Sequence, residues 1–220
     1  WWHAGGIPAP VSDPGWSCLH AIGLTTIRRE RDGLMTTWRL AVPERGEAEC
    51  WAVAIENRSA RARTVRLIPC VGSLIGGWFA APVTGGFDRA RNAVFASDTV
   101  RTGANHGHYT DGTRVGVALA MDIAADGFDT RRSAFIGPYG SLTAPLAMER
   151  GACADSVATF EPTVMALQHT VTLPAGGRAE IHVAVGPMRT PADLDALRAQ
   201  VAADAVERAA TAARAASLAT

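Results

Sequence analysis

The densest group of chemically capable side chains lies between Gly127 and Leu142, where Asp129, Arg131, Arg132 and Tyr139 share one segment with Phe128, Phe135, Pro138 and several glycines. Such a mixture suits an ordered loop over a polar site better than an ordinary strand. Planar guanidinium groups can bridge pairs of hydroxyls, and aromatic faces can lie against C–H patches, so the chemistry suggested is sugar contact. Trp78, Phe79 and Tyr109 carry the same capability elsewhere. Each has a plainer alternative: Trp78 and Phe79 as core, and Arg131 or Arg132 paired with Asp129 to brace the loop.

Two other chemistries have candidates. His106 and His108 alternate as strand-face metal ligands would, with His20 farther off, but no third ligand is indicated and Gly107 marks a loop. Hydrogen-bonded loop histidines are therefore expected, and no metal. Asp126, Asp129, Glu149, Asp155 and Glu161 could supply the paired acids of a glycosidase, yet sequence gives no pairing among them. No catalytic residue is assigned.

The elements that must hold these groups are mostly strands. Alternation of Trp51, Val53 and Ile55 with Ala52, Ala54 and Glu56 predicts a half-buried strand over 49–57. Further strands are predicted over 33–42, 63–71, 94–100, 113–123, 163–173 and 178–186. Asp32-Gly33 signals a hairpin. Asn57-Arg58-Ser59 reads as a turn to a returning strand, and also fits a glycosylation sequon. Pro174-Ala175-Gly176-Gly177 reads as the turn of a last hairpin. Thr190-Pro191-Ala192-Asp193 then starts a helix, expected to run to about Ser217 with Leu194, Leu197, Val201, Ala205 and Leu218 on its apolar stripe.

With 220 residues, 48% hydrophobic and 19% charged, the chain is long enough for one sizeable globular domain. Its 21 basic residues, all arginine, balance 21 acidic ones, so no basic field attracts nucleic acid or an anionic membrane. No apolar run approaches membrane-spanning length. Cys18, Cys50, Cys70 and Cys153 are scattered, which favours buried thiols in a reducing, cytoplasmic setting over a disulfide framework. The first residue is Trp1, which implies a chain processed or cut from something longer.

Several stretches resemble the N-terminal β-sandwich of glycoside hydrolase family 94, the cellobiose and chitobiose phosphorylase-like enzymes. They are the loop with Asp129, Arg131, Phe135, Gly137 and Tyr139 before Pro145; Cys18-Leu19-His20-Ala21-Ile22-Gly23-Leu24-Thr25; Ile55-x-Asn57-x-Ser59; and Leu173-Pro174-Ala175-Gly176 between apolar strands. In the second of these, Ala21 and Leu24 replace a glycine and a tyrosine of the family pattern.

The resemblance implies an all-β antiparallel super-sandwich, galactose mutarotase-like, over 1–187. A helical linker over 188–220 would lead toward an absent (α/α) barrel. It implies a parent that is an inverting phosphorylase, reversibly phosphorolysing β-linked disaccharides or short glucans to sugar 1-phosphate. In that family the general-acid aspartate belongs to the barrel and phosphate is the nucleophile. This chain would then be a non-catalytic carbohydrate-binding or structural domain without a cofactor, with inorganic phosphate as the parent's co-substrate. Arg131, Arg132, Tyr139, Asp129 and Tyr109 are the implied sugar contacts; the implied partners are carbohydrate, the barrel and a second copy in a homodimer. The alternatives are a freestanding carbohydrate-binding module, a purely structural domain, or a module of a cyclic β-glucan synthase.

Overall fold

The computed structural model describes residues 1–5, 15–44, 47–72, 83–98 and 116–218. Twelve described strands form two antiparallel sheets. The wide sheet holds β1 (Trp16–Ala21), β2 (Leu24–Arg31), β3 (Leu34–Ala41), β4 (Glu49–Asn57), β7 (Val83–Asp88), β8 (Ala93–Asp98), β9 (Gly116–Met121) and β12 (Arg178–Pro187), in the order β1-β2-β3-β4-β12-β9-β8-β7. The narrow sheet holds β10 (Gly127–Arg131), β11 (Thr163–Leu173) and β5 (Arg63–Leu67), with β6 (Cys70–Gly72) also paired to β11. Asp32 and Gly33 close the β2–β3 hairpin with φ of 52° and 74°, the two left-handed positions that a tight primed turn requires.

Side-chain size separates the two faces of the wide sheet. One face turns Trp51, Val94, Leu119, Met121, Ile181 and Val183 toward Met165 and Leu167 of β11, making the core between the sheets. Intervening positions are mostly small: Ala93, Ala118, Ala120 and Ala184 lie under α3 (Pro191–Ala199), and Ala41, Cys50 and Ala52 lie under α4 (Ala205–Leu218). Small residues bring a helix close to a sheet. A Cβ on Gly186 would stand 3.1 Å from Leu197, and one on Gly23 would stand 2.3 Å from the Cβ of Ala213. The result is a three-layer stack of helices, wide sheet and narrow sheet.

Five expectations are corrected. The segments flanking Asn57-Arg58-Ser59 do not form a hairpin: β4 stays in the wide sheet, while β5 pairs β11 in the narrow one. Pro174–Gly177 is likewise a corner between sheets, since β12 pairs β4 and β9. The two corners share one post. Buried Asn57 places its amide nitrogen 2.7 Å from Arg61 O, 3.1 Å from Leu173 O and 2.9 Å from Pro174 O, and its Oδ1 accepts from Ser59 N and Oγ. That nitrogen is enclosed, so the folded chain offers no acceptor at the sequon. The strand expected over 63–71 breaks at Ile68-Pro69, where proline has no N–H to donate. Finally, the C-terminal helix divides at 200–204 because its halves seat on separate alanine patches of a twisted surface, overriding local helix propensity. Leu218, expected on the apolar stripe, is 89% exposed.

Candidate functional site

The segment expected to be a loop begins as strand β10. It continues as α1 (Arg132–Ile136), turns at Pro138-Tyr139, and resumes as α2 (Leu146–Arg150). Phe135, Ile136 and Ala147 are buried with Val164 and Ala166 of β11, which fixes this irregular stretch to the narrow sheet. Beyond α2, residues 153–162 run beside β10. Ser156 bridges Asp129 in parallel fashion, Thr159 bridges Thr84 of β7, and the Gly85 N–H donates to Ala158 O at 3.0 Å. This segment closes one end of the sandwich.

Asp129 organises that closure. Its side chain is 0% exposed, and both oxygens accept from Ala154 N at 3.1 Å. Ser156 N and Oγ donate to Oδ1 at 3.1 and 2.6 Å, and Arg150 Nη2 stands 3.7 Å from Oδ2. An acceptor-only carboxylate surrounded by N–H and O–H groups is well satisfied, and the sugar contact expected of Asp129 is replaced by an internal brace. Its partner is not the expected arginine: Arg131 Nε pairs with Glu161 Oε1 at 2.9 Å, and its Nη2 donates to Val157 O.

The outward-facing groups sit on this braced platform. Arg131 and Arg132 are exposed at the start of α1, and Tyr139 is fully exposed past its end. No hydrogen bond or ring contact joins Tyr139 to either arginine among the described residues, so the structure places them on one segment without bringing them into contact. Tyr109, Trp78, Phe79, His106 and His108 lie outside the described residues. Phe160 adds an aromatic that sequence reasoning missed. It is 63% exposed and has a φ of 54°, an arrangement that costs a bulky residue about 1–2 kcal/mol. Nothing in the sequence around Phe160 signals that conformation.

The acids considered for catalysis are largely committed to the protein. Asp126 accepts from Gln168 Nε2 and Thr170 N, Asp155 from Phe128 N, and Glu161 holds Arg131. Burial opposes the charged form of Asp126, but the hydrogen bonds from Thr170 and Gln168 outweigh it and hold the carboxyl below its usual range. Behind the platform, burial and then the charge of Asp129 push the Cys70 thiol up to about 12, so it stays protonated. His20 meets Thr25 Oγ1 at 3.0 Å and Cys18 Sγ at 3.5 Å on an exposed strand, and no metal-holding group of three ligands occurs among the described residues.

Comparison with known proteins decides the family. The family model for the glycosyl hydrolase 94 supersandwich domain matches residues 1–216. The chain belongs to that family. Among its curated relatives, it is 26% identical to solabiose phosphorylase of Paenibacillus borealis over 189 residues, 84% of this chain and 24% of the relative. It is 27% identical to 3-O-beta-D-glucopyranosyl-beta-D-glucuronide phosphorylase of the same organism, over 89% of this chain and 25% of the relative. Identity to N,N'-diacetylchitobiose phosphorylase of Vibrio furnissii is 25%, over 80% and 22% respectively. The chain thus spans about a quarter of the length of these relatives. In this supersandwich domain, the expected arginines and tyrosine form the outer surface of the 127–162 region, and Asp129 forms its interior. No helix among the described residues is long and apolar enough to cross a membrane.

Proposed function

We propose that this supersandwich domain is the non-catalytic part of a glycoside phosphorylase that reversibly phosphorolyses a β-linked disaccharide or short glucan to sugar 1-phosphate. The observation that carries the reading is the family match along residues 1–216, in a chain that covers about a quarter of relatives named as phosphorylases. The parent uses inorganic phosphate as co-substrate, needs no other cofactor, and works in the cytoplasm as a homodimer. Its chemistry resides in a helical barrel continuing from residues 188–220.

Arg131, Arg132 and Tyr139 are the groups through which this domain meets carbohydrate. They are exposed side chains on a backbone that Asp129 and the 153–162 segment hold in place, an arrangement that limits the ordering cost of binding. Asp129 has a positioning role, one step behind the contact surface. The test is phosphate-dependent disaccharide cleavage by residues 1–220 alone and by the complete parent chain. The expected outcome is turnover only in the complete chain, with KM raised when Arg131 and Tyr139 are both changed to alanine. Phosphorolysis by residues 1–220 would overturn the non-catalytic assignment, and an unaltered KM would overturn the contact assignment.

A further inference from the structure

Among the described residues, α3 and α4 cover part of one face of the wide sheet. Beyond α4, strand register lays out the rest of that face as rows. Arg28, Thr37, Ala54 and Glu180 lie side by side across β2, β3, β4 and β12, and Glu30, Met35, Glu56 and Arg178 form the next row. The row on the other side holds Thr26, Arg39, Ala52 and His182, and there α4 begins to cover the sheet. Thr37 and Ala54 are short residues among long ones, so the surface sinks between them. A basin of about 270 Å³ results, lined by Arg28, Met35, Thr37, Arg39, Ala54, Glu56 and Arg178.

The charges around the basin are unevenly committed. Glu180 takes Arg178 Nη2 at 2.5 Å and stands 3.5 Å from Arg39 Nη2 and 3.3 Å from His182 Nε2. Arg39 also pairs with Glu207 of α4. Glu56 is paired at 3.2 Å with Arg58, which holds Glu30 at 2.9 Å. The Arg28 side chain is exposed and has no hydrogen bond or ion pair among the described residues. A guanidinium has five N–H donors, so Arg39 and Arg178 keep donors beyond those their carboxylates use. The basin is therefore lined from three strands by one guanidinium without a partner among the described residues and two partly committed ones, together with the Glu56 carboxylate that Arg58 holds.

We propose that this basin is a binding site for a phosphate group, either free or carried as a monoester on a small solute. A single carboxylate is satisfied by one guanidinium fork, whereas a tetrahedral dianion presents oxygens on every side and uses donors from several directions. The volume sets the size. Sites for drug-sized ligands span roughly 300–1,000 Å³, and this basin falls just under that range. It is distinct from the 127–162 platform, which belongs to the narrow sheet and the end of the sandwich.

The experiment is a calorimetric titration of residues 1–220 with inorganic phosphate, glucose 6-phosphate and acetate, repeated with Arg28→Ala, Arg28→Glu and Arg178→Ala. Both arginines are exposed, and among the described residues no hydrogen bond or ion pair ties either side chain to α3 or α4, so these variants should keep the fold, which thermal melts verify. The expected result is saturable binding of at least one phosphate compound and none of acetate. Arg28→Ala should weaken it about tenfold, the loss of one charge-assisted contact, and Arg28→Glu should abolish it. Tighter binding of glucose 6-phosphate than of phosphate would identify a monoester as the ligand; the reverse would identify the free ion. Absence of saturation by both compounds, or equal affinity in wild type and Arg28→Glu, would overturn the proposal.

Discussion

Two buried polar side chains, Asn57 and Asp129, hold irregular backbone in opposite parts of the molecule. Both are 0% exposed and both gather partners distant in sequence. Asn57 stands where two chain segments leave one sheet for the other, and it must donate to carbonyls as well as accept. An amide does both. Asp129 stands where a returning segment presents only N–H and O–H groups, and there an acceptor-only carboxylate suits better. The backbone groups that each site leaves unpaired have selected the side chain. One post secures the corners of the fold; the other secures the surface on which Arg131, Arg132 and Tyr139 are displayed.

The strongest way to break this comparison is Asn57→Ala. It strands several buried carbonyls at once, each worth about 1–3 kcal/mol, so a loss on the order of 4 kcal/mol is expected in denaturant unfolding. Asn57→Asp keeps the acceptor but sets a carboxylate against three carbonyls, and it should be no milder. Asp129→Asn turns an amide NH2 toward groups that themselves donate, for an expected loss of about 2–3 kcal/mol. Raised hydrogen exchange should then appear at Ala154 and Ser156, with the Asn57 corner unchanged. If both regions loosened equally, the two posts would not be independent.

Acid sharpens the contrast further. The folded-state pKa of Asp126 lies below its unfolded value near 3.8, so its contribution is full above that pH and is lost as pH falls through the folded value. The β10–β11 region should lose stability in that window, and Asp126→Asn should flatten the pH dependence of stability there. The smallest effect belongs to Tyr139→Ala. A fully exposed ring supports nothing beneath it, and melting should move by less than about 0.5 kcal/mol.

Much of the strand pattern was legible because alternation reports a half-buried face directly. The strand read over 49–57 is β4, and the one over 163–173 is β11. Partnership was not legible. The turn chemistry of Asn57-Arg58-Ser59 and of Pro174–Gly177 marks a change of direction, and a hairpin and a corner look alike until the neighbouring strands are known. Strands β7 and β10 escaped notice because Gly85, Gly86 and Gly127 blunt the alternation; a Cβ on Gly85 would stand 2.4 Å from Thr130 Oγ1. At the candidate site, the cluster of arginines and tyrosine was visible, but the burial of Asp129 was not. That depends on residues 153–156, whose sequence carries no periodic signal.

The position of β12 bears on how the chain comes into being. The strands β1–β4 form one meander and β7–β9 another, and only β12 lies between them, pairing with β4 on one side and β9 on the other. A ribosome must therefore deliver residue 187 before the wide sheet can close. Until then, β4 and β9 each expose an unpaired edge, the kind of template on which nascent chains aggregate. Synthesis rate and chaperone supply should govern the yield of this protein more strongly than its final stability does.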